Sequence, residues 1–311
     1  MTDLNAIIQQ VRQHLAEAGI GSADTEAASI AAHVLQVDRG RLGVLQVLGQ
    51  SIAQSTSNQI WALVEARKRR IPLQHLTGVA GFYGLDIQTG PGVFIPRPET
   101  EILVETTLEH FADTTGPLNI LDLCTGTGAI AAALAEHLGR QNTPVALWAV
   151  DLSPAAVELA RKNAAPYNVT VLCADATDRA SIVSADAQLE TLLGKFDAVV
   201  SNPPYIPDDT PVNQPEAEHD PHMALYGGSP DGTAIPLAIA NQALDWLAPG
   251  GLFIMEHDET HGHSLASAMR THVGWQVVTT LQDLRHTDRF VSAIRSDLVQ
   301  STSKTIPTLA Q

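Results

Sequence analysis

The segment Leu118-Asn119-Ile120-Leu121-Asp122-Leu123-Cys124-Thr125-Gly126-Thr127-Gly128-Ala129 is an apolar run that ends in an acid and passes two glycines into an alanine-rich stretch. A short unbroken apolar run suits a strand covered on both faces, and Ala129–Leu138 has helix-forming composition. Glycines between the two let the backbone turn sharply and approach a ligand closely. Downstream the same alternation continues. Val145–Val150, Val169–Cys173, Phe196–Ser201, Gly251–Glu256, Trp275–Leu281 and Phe290–Ile294 read as strands. Helices are expected at 155–164, 234–247 and 264–272. With Leu118–Leu123 this makes seven strands, and the expected class is α/β: a mostly parallel sheet with helices on both faces.

Upstream the pattern is helical. Leu4, Ile7, Ile8, Val11 and Leu15 lie on one helix face, and Gly19 and Gly21 stop it. Further helices are expected to about residue 37, at 41–49 and at 55–70. The basic run Arg67-Lys68-Arg69-Arg70 has two readings: a solvated last turn favoured by the helix dipole, or a contact for a partner or RNA. Residues 71–96 mix Pro, Gly and aromatics, with alternation around Phe82–Ile87 that predicts a hairpin. The expected domains are a helical bundle over 1–75, a hairpin linker over 76–96, an α/β catalytic domain over 97–297 and a disordered tail over 298–311.

The chain has 311 residues, 44% of them apolar and 17% charged, enough to build a core. Its net charge of −16 is uneven: residues 1–80 carry 7 basic and 6 acidic side chains, residues 81–311 carry 11 and 28. A nucleic-acid grip usually needs a basic face, so the acidic second part counts against a direct nucleic-acid substrate. No apolar run is long enough to span a membrane, and Met1-Thr2-Asp3-Leu4 does not begin a signal peptide. Two cysteines, Cys124 and Cys173, build no disulfide framework. A cytoplasmic location without membrane association is expected.

The loop Asp122–Gly128 and the acid closing the next strand, Val150-Asp151, together suggest a nucleoside-containing cofactor whose ribose hydroxyls bond Asp151. After Gly126-x-Gly128 come Ala129, Ile130 and Ala131, so the nicotinamide fingerprint is incomplete. The spacing resembles the Asp-x-Gly-x-Gly-x-Gly loop of Rossmann-like methyltransferases. S-adenosylmethionine is cationic at sulfur, and Asp122, Asp151 and Asp175 at strand ends suit it.

Strand Phe196–Ser201 ends in Asn202-Pro203-Pro204-Tyr205, where the open edge of an α/β sheet binds ligands. Two prolines remove two N–H donors and stiffen the turn. The Asn202 side-chain oxygen and the Pro203 carbonyl can accept both protons of a planar NH2 group, with Tyr205 packed on its flat face. Acceptors so placed also favour the positive charge that develops on nitrogen during methyl transfer.

Asn-Pro-Pro-Tyr after such a loop resembles the N-methyltransferases that act on planar nitrogens. Three stretches resemble, more narrowly, the peptide chain release factor glutamine methyltransferases (PrmC/HemK): Pro72–Gly78, Gly81–Leu85 and Ile95-Pro96-Arg97-Pro98-Glu99-Thr100-Glu101. So do Ala224–Gly228 and Asp231-Gly232. The resemblance implies a seven-stranded S-adenosylmethionine-dependent domain behind a helical domain that helps grip the release factor. It implies methylation of the side-chain amide (N5) of the glutamine in the factor's Gly-Gly-Gln motif, by a cytoplasmic monomer. An adenine-N6 or guanine-N2 nucleic-acid methyltransferase is the alternative, and a non-catalytic adaptor ranks third. Carried over by position, Asp122, Cys124, Thr125, Gly126, Thr127, Gly128, Asp151, Asp175, Ala176 and Asn202 hold the cofactor, and Asn202, Pro203, Pro204 and Tyr205 form the catalytic motif.

Some positions depart from the family pattern. Cys124 replaces the first loop glycine and fits if its φ is negative. Ala176 stands where relatives often carry an aromatic. Glu256-His257-Asp258 replaces Glu-Ile-Gly, and no role is assigned there. His257, His261 and His263 are read as a polar loop, with no metal expected. Cys124 lacks an identifiable base and is not read as a nucleophile. Arg97, Glu99 and Glu101 form either an ion-pair knot between domains or part of a substrate channel. His219-Asp220-Pro221-His222 is read as part of a loop over the substrate.

Overall fold

The computed structural model describes residues 1–211 and 215–297. The disordered tail expected over 298–311 lies outside the described residues. The chain divides into two compact units, one over Met1–Val79 together with the segment before Asp220, the other over Ala80–Pro211 and from Asp220 onward.

The first unit is a bundle of helices Leu4–Glu17, Ala23–Leu35, Arg39–Val47 and Gln54–Lys68, followed by a short helix Leu73–Thr77. Leu4, Ile7, Ile8, Val11 and Leu15 are buried with Ile30, Ile60 and Val64. Asp3 caps the first helix by accepting from the Ala6 amide. A two-residue antiparallel pair, Thr2–Asp3 with Ser51–Ile52, was not legible from pattern alone.

Neither reading of the basic run describes Arg67. Its side chain is buried and donates from Nε to Glu26 Oε2 at 2.6 Å and from Nη1 to Glu216 Oε1 at 2.9 Å. Arg70 donates to the same Glu216 oxygen and to the carbonyls of Ala18 and Gly19. Two of the four cations are thus structural. They hold the short helix Pro215–His219, which belongs to this unit although it follows the Asn-Pro-Pro-Tyr segment in sequence.

The second unit is a seven-stranded sheet. We label its strands β1 (Leu118–Leu123), β2 (Val145–Asp151), β3 (Val169–Cys173), β4 (Phe196–Ser201), β5 (Leu247–Glu256), β6 (Trp275–Gln282) and β7 (Asp288–Arg295). Their order is β6-β7-β5-β4-β1-β2-β3. β1 to β5 pair in parallel, and β7 lies antiparallel between β5 and β6. This is the expected mostly parallel α/β architecture. β5 starts earlier than expected, at Leu247, because a register shift opposite Phe196–Ala198 accommodates Pro249-Gly250-Gly251.

Alternate side chains of the central strands enter two cores. Leu121, Leu123, Val199, Phe253 and Met255 pack on one face, Ile120, Ala198, Val200 and Ile254 on the other. Helix Ala129–Arg140 is so rich in alanine that residues 129–135 are all buried, letting it lie close on the sheet. Helix Glu101–His110 was not foreseen from the sequence. The expected hairpin is formed by Val79–Phe82 and Leu85–Gln88, with positive φ at both turn residues, Tyr83 and Gly84.

Candidate active site

The strand order reverses at β1. The chain proceeds to β2 and β3 on one side, while β4 and β5 lie on the other, which opens a crevice at the carboxyl ends of the strands. Register sets what faces it. Leu123 pairs with Ser201 and with Val150, and Ser201 pairs with Met255. One residue further, Cys124, Asn202, Asp151 and Glu256 form a row across four adjacent strand ends.

The loop after β1 alternates. Cys124, Gly126 and Gly128 have φ of 61°, 57° and 77°, while Thr125 and Thr127 between them are buried. This repeated left-handed step explains the glycine spacing. At Gly128 a Cβ would meet the Ala160 backbone at 3.0 Å, whereas at Gly126 it would meet open space. The loop is held by Thr125 N to Val150 O and by Asn163, whose Nδ2 donates to Thr127 O at 2.8 Å and to Gln88 O.

The condition set for Cys124, a negative φ, is not met: the cysteine occupies a left-handed slot. For a non-glycine residue this costs about 1–2 kcal/mol. Cys124→Gly removes that strain but adds about 0.5–1 kcal/mol of unfolded-chain freedom. The expected result is a net gain of about 0.5–1 kcal/mol, seen as a melting temperature a few degrees higher. A lower melting temperature would contradict the strain. Burial, reinforced by the charges of Asp151 and Asp122, also pushes the Cys124 thiol well up, away from nucleophilic chemistry.

Asp151 Oδ2 accepts from the Gly126 amide at 2.7 Å and Oδ1 from the Ser153 amide at 2.9 Å, so the acid also shapes the glycine loop. Leu152 beside it is 54% exposed, an apolar surface at the rim that sequence reasoning passed over. An apolar residue directly after the strand-end acid was the available signal. Asp175 closes a turn by accepting from the Thr177 amide and hydroxyl. The Ala176 methyl belongs to the core.

Asp122 is fully buried. Its Oδ2 accepts from the Thr125 hydroxyl at 2.5 Å, and its Oδ1 has no hydrogen-bond partner among the described residues. Burial first, then the charge of Asp151, pushes it up to about 7, against the Thr125 bond and the pull of the nearby Ala131 amide. An acid with a raised folded pKa keeps its proton longer when folded. Asp122 therefore contributes a loss of folding stability in the unliganded protein as pH rises from about 4 to about 7. Asp122→Asn is expected to flatten that slope in unfolding curves taken across this range, and an unchanged slope would refute the assignment. An unpartnered buried carboxylate oxygen, the half-buried Asp151 and the open face at Gly126 fit a cationic nucleoside such as S-adenosylmethionine.

On the other side of the crevice, Pro203 is buried and Asn202, Pro204 and Tyr205 are half-buried. The backbone after them is clamped by a second segment. Tyr205 N and Ile206 N donate to Leu225 O, Gly227 N donates to Ile206 O, and Ile206 bridges Tyr226. A Cβ on Gly232 would lie 2.3 Å from Tyr205 O, and one on Gly227 would lie 1.9 Å from Gly232 O. Only glycine fits at either position.

Asn202 Nδ2 donates to Thr100 Oγ1 at 3.1 Å, Thr100 Oγ1 donates to Glu256 Oε2 at 2.6 Å, and the Tyr205 hydroxyl donates to Glu256 Oε1 at 3.0 Å. Thr100 and Glu256 are each 3% exposed. Glu256, given no role on sequence grounds, is bonded directly to the motif. The signal was an acid at the end of the strand beside β4. Arg97 pairs with Asp220 at 2.6 Å, and Glu101 accepts from the Tyr83 amide. All four lie within the catalytic unit, which corrects the reading of an inter-domain knot for these contacts. His222 stacks on Tyr226 at 4.2 Å. Among the described residues no group of three or more His, Cys, Asp or Glu side chains is placed to hold a metal ion.

Residues 6–78 match the family model of the PrmC N-terminal domain, and residues 84–214 match that of the Methyltransferase small domain. A release factor glutamine methyltransferase from Mycolicibacterium smegmatis is 43% identical over 295 residues, covering 95% of this chain and 99% of the relative. One from Mycobacterium tuberculosis (strain CDC 1551 / Oshkosh) is 41% identical over 282 residues, covering 90% and 88%. One from Streptomyces coelicolor is 37% identical over 297 residues, covering 94% and 98%. With full-length identity of this order on top of a crevice built by the glycine loop, Asp151 and Asn202–Tyr205, the chain belongs to the release factor glutamine methyltransferase family.

Proposed function

We propose that this enzyme, an S-adenosylmethionine-dependent methyltransferase, methylates the side-chain amide nitrogen of the glutamine in the Gly-Gly-Gln motif of class-one release factors. The observation that carries the reading is the orientation of Asn202. Its amide nitrogen is committed to Thr100, which leaves Oδ1 to accept from a substrate NH2. The Pro203 carbonyl, on a turn stiffened by two prolines, is the second acceptor. Bound S-adenosylmethionine supplies an activated methyl on a positively charged sulfur. Asp122, the loop Cys124–Gly128, Asp151, Asp175 and Ala176 are the residues proposed to hold it.

Two acceptors on the NH2 group fix the substrate nitrogen and favour the positive charge it gains. No base needs to act in the same step, because the N-methylated amide nitrogen loses its extra proton readily afterwards. Tyr205, tied through its hydroxyl to Glu256, presents its ring beside the amide plane.

The acidic balance of residues 81–311 supports a protein substrate over DNA or RNA. No helix among the described residues is long and apolar enough to cross a membrane. We place the enzyme in the cytoplasm as a monomer, with a release factor as its partner. The test offers unmodified release factor, ribosomal RNA and DNA in separate reactions with methyl-labelled S-adenosylmethionine. Label on the factor alone is the expected result. Label on nucleic acid alone would transfer the reading to the nucleic-acid methyltransferases.

A further inference from the structure

We infer that Thr100 and Glu256 are positioning residues for methyl transfer, setting which end of the Asn202 amide faces the substrate; this rests on the proposed glutamine reading. Proton direction carries the inference. A hydroxyl has one proton, and Thr100 gives its proton to the Glu256 carboxylate at 2.6 Å. Toward Asn202 it can only accept, so Asn202 must present Nδ2 to it and Oδ1 away from it. Tyr205 donates to the other carboxylate oxygen, so both ends of the motif are read by one buried acid. A reversed Asn202 would aim an N–H at the substrate NH2, donor against donor, and methyl transfer would lose an acceptor. The three residues lie 102 and 156 positions apart in sequence, joined only by the fold.

Thr100→Val removes the acceptor at nearly constant volume. It is expected to lower kcat about a hundredfold, with the Kd for S-adenosylmethionine within about threefold of wild type. Thr100→Ser keeps the hydroxyl and should restore kcat to within about threefold. Glu256→Gln can still accept from Thr100 through its amide oxygen while donating to Tyr205, so it should lose far less than Thr100→Val. Hydrogen exchange of the Asn202 side-chain amide, read by nuclear magnetic resonance on asparagine-labelled protein, tests the network without any substrate. It should quicken about tenfold in Thr100→Val, where the amide loses its buried acceptor. Unchanged exchange in that variant, kcat within threefold of wild type, or equal losses in Thr100→Ser and Thr100→Val would each overturn the inference. A wild-type enzyme that leaves release-factor glutamine unmethylated would instead overturn the substrate reading, and the exchange measurement would still decide the network.

Discussion

Asn202→Ala is expected to reduce kcat for methyl transfer by about 10²–10³-fold, the range found when one preorganised polar contact to a developing charge is removed. The substitution deletes the Oδ1 acceptor and also frees Thr100 Oγ1 of its donor. What remains is the Pro203 carbonyl, which can hold one proton of the NH2 group but cannot fix its rotation. Cofactor binding should suffer less, because the glycine loop and Asp151 are held by their own bonds: Thr125 N to Val150 O and Gly126 N to Asp151 Oδ2. Single-turnover methylation measured beside calorimetric binding of S-adenosylmethionine separates the two. Turnover near that of wild type would refute the acceptor role of Asn202.

Arg67→Ala is expected to destabilise the helical unit by about 3–5 kcal/mol, the usual cost of removing one partner from a buried ion pair. Glu26, 7% exposed beside Arg67, would keep the Ser22 hydroxyl as a donor but lose both guanidinium bonds. Glu216 would keep only Arg70. Burial alone would raise the Glu216 carboxyl; the Arg67 and Arg70 bonds hold it below its ordinary value. The double variant Arg67→Met, Glu26→Gln leaves no unpaired buried charge at Glu26 and should recover part of the loss. Denaturant unfolding of the three proteins checks this. A single variant that unfolds with wild type, or a double variant no more stable than the single, would count against the buried Arg67–Glu26 pair.

The central strands were legible because a strand covered on both faces is an unbroken apolar run bounded by turn residues, as Leu118–Leu123 and Phe196–Ser201 are. The first helices were legible from the spacing of Leu4, Ile7, Ile8, Val11 and Leu15. Legibility failed where a residue's state is set from far along the chain. Arg67 looked solvated because its partners lie 41 and 149 positions away. Thr100 and Glu256 carried no local mark linking them to Asn202. The Cys124 slot was visible as a missing glycine, yet the sign of φ there depends on the loop's alternation, which only the folded backbone displays. Helix Glu101–His110 carries four β-branched residues, Ile102, Val104, Thr106 and Thr107, which weaken its local helical signal.

In the proposed reaction the methyl goes to a glutamine side-chain nitrogen held by Asn202 and Pro203. Fragmentation mass spectrometry of a release factor incubated with the enzyme and S-adenosylmethionine tests it most directly. One added methyl is expected, located on the side-chain amide of the Gly-Gly-Gln glutamine, and none when that residue is replaced by glutamate. A methyl on another residue of the factor, or equal methylation of the glutamate-substituted factor, would contradict it.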